Sequence, residues 1–301
     1  MKYDKVNGSV GFLEEPHKYE NINDPNINYI SVTTLIEKYG QPFDKDFWSA
    51  YKALEKLLTS ESWNIEKKSL LKTKKFDKRI LEAYNIKEND FNGAQQDILD
   101  TWAEENRKSC ERGTKIHSTI ENTFYSSPKN ISLKKFGIGG KFECRKDYTD
   151  LDIEYGVYPE YLISYDNPKL DVHLAGQIDL LVKNGNNIII GDWKTNKKLE
   201  FKSFYDPSTR TSVKMKYPLT NLDNVNFNHY QLQLSTYAWM LQKLNPNFNI
   251  EKLFIYHFDH DGNQKYYDVK YLKEEVEKMI LDYAKKVKLE KQKAKYERIQ
   301  Y

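Results

Sequence analysis

The chain has 301 residues, of which 39% are hydrophobic and 30% charged, enough to bury a core in one large domain or two small ones. Its formal net charge is only +3, which excludes a polycation, so a nucleic-acid partner requires local clusters of basic residues. Cys110 and Cys144 are the only cysteines; two thiols cannot supply a four-thiolate zinc or iron–sulfur site and argue against a disulfide framework. The opening "MKYDKVNGSVGF" has no apolar signal-peptide core, and no apolar run approaches the roughly 18–20 residues of a membrane span. A reducing cytoplasm and no membrane association are the expectation.

Residues 1–35 read as short strands and turns, punctuated by Asn, Asp and Pro. "SVTTLIEKYG" reads as a helix that Ser31, Thr33 or Thr34 caps and Gly40 ends. Residues 45–108 are helical in pattern, hold Trp48, Trp63 and Trp102, and carry the Lys-rich stretch 67–79. A helix is expected to open at Gly113–Thr114 and run to Tyr125. Residues 154–165 and 172–194 have the apolar alternation and clustering of strands. Residues 200–228 lack periodicity and read as a long ordered loop. An amphipathic helix over 229–244, a strand over 252–258 with a turn at Asp261–Gly262, and a charged helix over 271–297 complete the chain. Two regions of one compact unit are expected: 1–110, strands and helices that roof a site, and 111–301, the core that holds it. A β core set between helices makes the class α/β.

The stretch "AGQIDLLVKNGNNIIIGDWKTNKKL" (175–199) puts Asp179, Asp192 and Lys194 on strands that otherwise read as buried. Asn184–Gly185 is a hairpin signal. A two-residue loop there sets Asp179 opposite Ile190, and a four-residue loop sets it opposite Asp192. In both registers the three charged residues share one face, because side chains alternate with period two, and the acids lie roughly 5–8 Å apart at Cβ. Two carboxylates that close repel unless one is protonated or a cation lies between them, and a divalent ion suits such oxygen ligands. A lone D-x-K on a strand is ordinarily a solvated face or a salt bridge, so the neighbouring motifs decide its meaning.

Those motifs form an ordered series: "RGTKIHSTIE" (112–121), "YPEYLI" (158–163), "AGQIDLLV", "IIIGDWKT" and "YQLQLSTYAWML". The series resembles the PD-(D/E)XK nuclease superfamily, and within it the RecB-like exonucleases. Less specifically, "HKYEN…YISVTTLI…FDKDFW" and residues 214–237 resemble phage-encoded relatives of the mitochondrial genome maintenance exonuclease. The resemblance implies a restriction-endonuclease-like mixed sheet flanked by helices, with an N-terminal helical elaboration. It implies catalytic roles for Asp179, Asp192, Lys194, Glu160, Gln233 and Tyr237. It also implies one or two Mg²⁺ or Mn²⁺ ions held by His117, Asp179, Asp192 and the Trp193 carbonyl. The branches with an iron–sulfur cluster on four cysteines do not fit a chain with two.

Ser31, Thr33, Arg112, Glu121, Lys197, Arg210 and Lys214 are the candidate substrate contacts. Hydroxyls at a helix start ordinarily cap it, and the same position is a ready phosphate site; basic residues interleaved with Phe201, Phe204, Tyr205 and Tyr217 suit an unpaired strand. Glu121, four residues after His117, shares its helix face. The expected function is a metal-dependent DNA exonuclease working from a single-stranded end, in phage replication or recombination and beside the proteins of those processes. Rival readings are an endonuclease of the same superfamily and a catalytically silent DNA-binding protein.

Overall fold

The computed structural model describes residues 3–145, 153–206 and 211–299. The chain divides into two compact units. The first takes the segment up to Gln41 and the chain from Lys115 onward, save the short stretch at 206–211; the second is built on Pro42–Thr114.

The first described elements are three short strands, β1 (Lys5–Asn7), β2 (Val10–Leu13) and β3 (Lys18–Asn21), which form their own antiparallel sheet. Strand β4 (Ile30–Ser31) leads into α1 (Val32–Glu37). Ser31 caps this helix, its Oγ accepting from the Thr34 amide at 3.0 Å. The second unit contains α2 (Lys45–Leu57), α3 (Ser60–Thr73), α4 (Arg79–Ala83) and the beginning of α5 (Glu88–Ser126). Its core includes Phe47, Tyr51, Leu54, Trp63, Leu70 and Phe91. Trp63 is thus a core side chain, edge-on to Tyr51. Helix α5 does not open at Gly113; it runs unbroken for 39 residues through that glycine. The cost of about 1 kcal/mol for an interior glycine is small beside the hydrogen bonds on either side.

A mixed sheet forms the centre of the other unit. Its strands are β4, β5 (Gly156–Asn167), β6 (Val172–Asn184), β7 (Asn187–Lys194), β10 (Asn249–Phe258) and β11 (Gln264–Val269). The two-residue strands β8 (Tyr205–Asp206) and β9 (Thr211–Ser212) pair only with each other. Strand β7 is antiparallel to β6 and parallel to β10, while β4 is parallel to β6. Helices α1, α6 (Asn226–Leu244) and α7 (Lys273–Ile299) supply one face of the sheet with Leu35, Leu232, Leu234, Val276 and Met279. The other face has two covers. Phe124 of α5 with Phe136 and Phe142 packs on Val157, Leu180 and Trp193, whereas Phe12 and Tyr19 of the small sheet pack on Leu162 and Ala175. This α/β arrangement, a mixed sheet flanked by helices, is the restriction-endonuclease-like class expected.

The β6–β7 hairpin turns on Gly185 (φ +62°) and Asn186, with Asn184 opposite Asn187 and Leu180 opposite Gly191. Extended by one rung, this register would set Asp179 opposite Asp192, as the four-residue loop would, but the loop contains two residues and the ladder ends at Leu180 and Gly191.

Candidate active site

The decisive local feature is a break in side-chain alternation. The β5–β6 ladder pairs Pro159 with Leu180 and Tyr161 with Ile178 but leaves out Glu160 and Asp179 between them. Tyr158 and Tyr161, three residues apart, nevertheless enter the same apolar cluster, and so do Ile178 and Leu181. In an unbroken strand, residues three apart face opposite sides. Both strands therefore change phase at the same rung. Glu160 sits there at φ +50°, a left-handed conformation that costs a non-glycine residue about 1–2 kcal/mol. The rung is also where the two covers of the sheet meet, and where β6 has left β7 at Leu180 and has not yet reached β4 at Ala175.

Polar groups fill this interruption. The Asp179 carboxylate accepts from the Trp193 amide at 2.7 Å, replacing the ladder bond. His117, from the C-terminal part of α5, sets Nε2 3.0 Å from the Trp193 carbonyl and Nδ1 3.4 Å from Glu160 Oε1 and 3.7 Å from Asp179 Oδ2. Single ligand atoms of His117, Glu160 and Asp179 all lie within 4.8 Å of one another. On the α6 side, Lys194 Nζ is 2.7 Å from Asp192 Oδ2 and donates to Gln233 Oε1 at 3.2 Å. Gln233 Nε2 reaches Asp192 Oδ1 at 3.4 Å and the Tyr237 hydroxyl at 3.5 Å. Tyr237 lies against Gly176, where a Cβ would stand 2.6 Å from its ring. That close approach explains the glycine of "AGQID". Gly191 is required for the same reason on the opposite face, where a Cβ would meet Phe254 at 2.3 Å.

The electrostatics follow from three acids in a buried place. Burial pushes Asp192 up to about 6, the Lys194 ammonium pulling against it and Asp179 adding to the rise. Asp179 is also raised, by burial first, while His117 and Lys194 oppose the rise and Glu160 reinforces it. Burial favours neutral imidazole at His117, but the surrounding carboxylates of Asp179, Glu160 and Asp192 outweigh it and lift the ring to about 9. Lys194 is raised although burial opposes it, because Asp192 and Asp179 stabilise its charge.

The structure therefore brings His117, Glu160, Asp179, Asp192, the Trp193 backbone, Lys194, Gln233 and Tyr237 into one polar network. The ligand atoms that converge are those of His117, Glu160 and Asp179; Asp192 is engaged with Lys194 and Gln233. The partners of Ser31, Glu121 and Lys214 are not members of the network. Ser31 Oγ donates to Thr34 Oγ1 at 2.7 Å and lies 3.0 Å from Thr33 Oγ1. Glu121 is paired with Lys5 at 3.2 Å and Lys214 with Asp223 at 2.5 Å. Lys197 is exposed, Arg112 belongs to the second unit, and Arg210 lies outside the described residues.

Two side chains were not singled out from sequence. The ring of Tyr230 has Lys194 Nζ 4.4 Å from its centroid; its spacing from Gln233 and Tyr237 on α6, three and seven residues, is a visible helix-face signal. Tyr19 is buried, and its phenol is held far up by burial and by Glu160 and Asp179. Nothing in a sequence separation of about 140 residues announces that proximity.

A family model for the PD-(D/E)XK nuclease superfamily matches residues 79–300, a span containing every member of the network. The chain belongs to that superfamily. The chain also aligns with the solved structure described as "Crystal structure of SSO0001", at 12% identity over 86% of this chain and 75% of the other, with a TM-score of 0.34. A superposition that loose carries no argument about activity. No curated protein gives a match. Among the described residues, no helix is long and apolar enough to cross a membrane.

Proposed function

We propose that the protein is a metal-dependent deoxyribonuclease that hydrolyses phosphodiester bonds from a free, single-stranded end. The observation that carries the hydrolytic reading is the buried rung itself: three converging ligand groups, a histidine and two acids, with a lysine ion-paired to a third acid beside them. The donor set fits a hard divalent ion, Mg²⁺ or Mn²⁺. His117, Glu160 and Asp179 would hold it, with Asp192 and the Trp193 carbonyl at the border. Such an ion, when bound, activates water and neutralises charge on the phosphate.

The chain's own groups have separate tasks. Lys194 is aimed by Asp192, Gln233 and the Tyr230 face, and it stabilises charge that develops on the scissile phosphate. Gln233 holds the lysine and Asp192 in register, and Tyr237 fixes Gln233. The exonuclease assignment and the role in phage replication or recombination, in a cytoplasm, rest on the resemblance of Gln233 and Tyr237 to the RecB-type Q-x-x-x-Y helix and of the N-terminal stretch to phage relatives.

The test is digestion of end-labelled linear single-stranded DNA and of a covalently closed single-stranded circle, with Mg²⁺, with Mn²⁺ and with EDTA. Metal-dependent shortening of the linear strand while the circle survives is the expected result. Rapid cutting of the circle overturns the free-end requirement in favour of an endonuclease. Saturable binding with no hydrolysis in either metal identifies a silent binding protein.

A further inference from the structure

A groove runs between the β5–β6 turn and α7 from Leu281 to Lys295, and no residue of the polar network lines it. Its floor is apolar, made by Leu170, Leu281 and Ala284, and its rim carries Lys169, Lys285, Lys288, Lys291 and Lys295. Leu281 is 51% exposed, a large aliphatic side chain left to water in the same groove as these lysines. Asp171 is the one acid among the lining residues, and it pairs with Lys291. Among the described residues, no carboxylate lies within ion-pair distance of Lys169, Lys285, Lys288 or Lys295.

Several ammonium groups repel one another along such a rim, and their alkyl stems extend the apolar floor. The complementary occupant is anionic and also apolar. Nucleic acid satisfies the first condition but not the second, because bases are held by stacking on aromatic faces and no aromatic ring is among the residues that line the groove.

We propose that this groove docks an extended acidic peptide segment of a partner protein. Leucine-like or aromatic side chains of the segment rest on Leu170, Leu281 and Ala284, and its carboxylates meet the lysines. Leu281 to Lys295 covers about 21 Å of helix, which an extended segment of about six residues spans. The interaction uses nothing from the nuclease reading, and it is measured without metal or DNA hydrolysis.

The experiment is fluorescence anisotropy of the full chain in EDTA with three labelled probes: a short peptide alternating aspartate with leucine and phenylalanine, an oligo-aspartate of equal charge, and an oligo-thymidylate. The alternating peptide is expected to bind at least about tenfold more tightly than oligo-aspartate. The K285E/K288E double variant and Leu281→Asp are each expected to weaken it by about tenfold or more. All three replaced side chains are exposed, so unchanged thermal midpoints accompany these losses, and oligo-thymidylate binding persists. Equal binding of oligo-aspartate shows mere charge attraction and overturns the proposal. So does loss of oligo-thymidylate rather than peptide binding in the double variant, which makes the surface a nucleic-acid track.

Discussion

In the metal-free protein His117 is expected to be an imidazolium at neutral pH. Both of its ring nitrogens face acceptors, the Trp193 carbonyl at 3.0 Å and Glu160 at 3.4 Å, an arrangement that only the doubly protonated ring satisfies. A rise from 6.5 to about 9 corresponds to about 3 kcal/mol of differential interaction at 1.36 kcal/mol per pH unit. The folded-state value lies above the unfolded one, so this stabilisation is complete below pH 6.5 and is lost as pH climbs through about 9. Asp192, raised from 3.8 to about 6, acts in the same direction at lower pH: it favours the fold while protonated and ceases to do so as pH rises through about 6. The metal-free protein should therefore be measurably less stable at pH 9 than at pH 6 in urea titrations with EDTA. In Asp179→Asn, the His117 ring resonances should titrate at least about one unit lower than in wild type, because one of the charges opposing burial is gone. Binding of a divalent ion must displace the His117 proton, so its affinity should increase with pH by up to about tenfold per unit below that titration. A metal-free His117 that titrates at or below 6.5, or a value untouched by Asp179→Asn, refutes the reasoning.

Lys194→Ala is expected to fold and to bind Mn²⁺ and oligonucleotide, yet to cleave about 10²–10³-fold more slowly in single turnover, the usual cost of one preorganised transition-state contact; an unaltered rate removes Lys194 from the reaction. At the strained position, Glu160→Gly should be more stable than Glu160→Ala by about 1 kcal/mol in EDTA, and the reverse order would mean that the left-handed backbone carries no strain. Gly191→Ala should cost about 1–3 kcal/mol through overpacking, since Phe254 is fully buried and stacked against Phe136 and Tyr266. A thermal midpoint equal to wild type would show that the ring moves aside freely.

Much of the site was legible because its parts lie on regular elements. The hairpin and the apolar run Ile188–Ile190 located Asp192 and Lys194, and helical spacing put Gln233 and Tyr237 on one face. The phase change at Glu160 and Asp179 was not legible, since a period-two reading assumes an unbroken ladder. That is why Glu160, rather than Asp192, joins His117 and Asp179 in the convergent set. Gly113 looked like a helix start because glycine is a local penalty, whereas the 39-residue helix is a cooperative sum. Tyr19 illustrates the other limit: the small sheet's place on Leu162 and Ala175 is a packing outcome, and no periodicity within residues 5–21 encodes it.

The break at the rung behaves like a pinned dislocation. A single strand that slips by one residue exchanges its faces and loses its core. Here Ile178 and Leu181 are anchored in one apolar cluster, Leu180 and Val182 in a second and Ala175 in a third. A slip in either direction expels side chains on both sides of the fault at once. The position of the carboxylates along the sheet is thus set by the apolar residues around them, and mutual repulsion between the acids cannot shift it. Inserting or deleting one residue in either β5 or β6 should consequently erase the site while leaving the helices beyond it able to form.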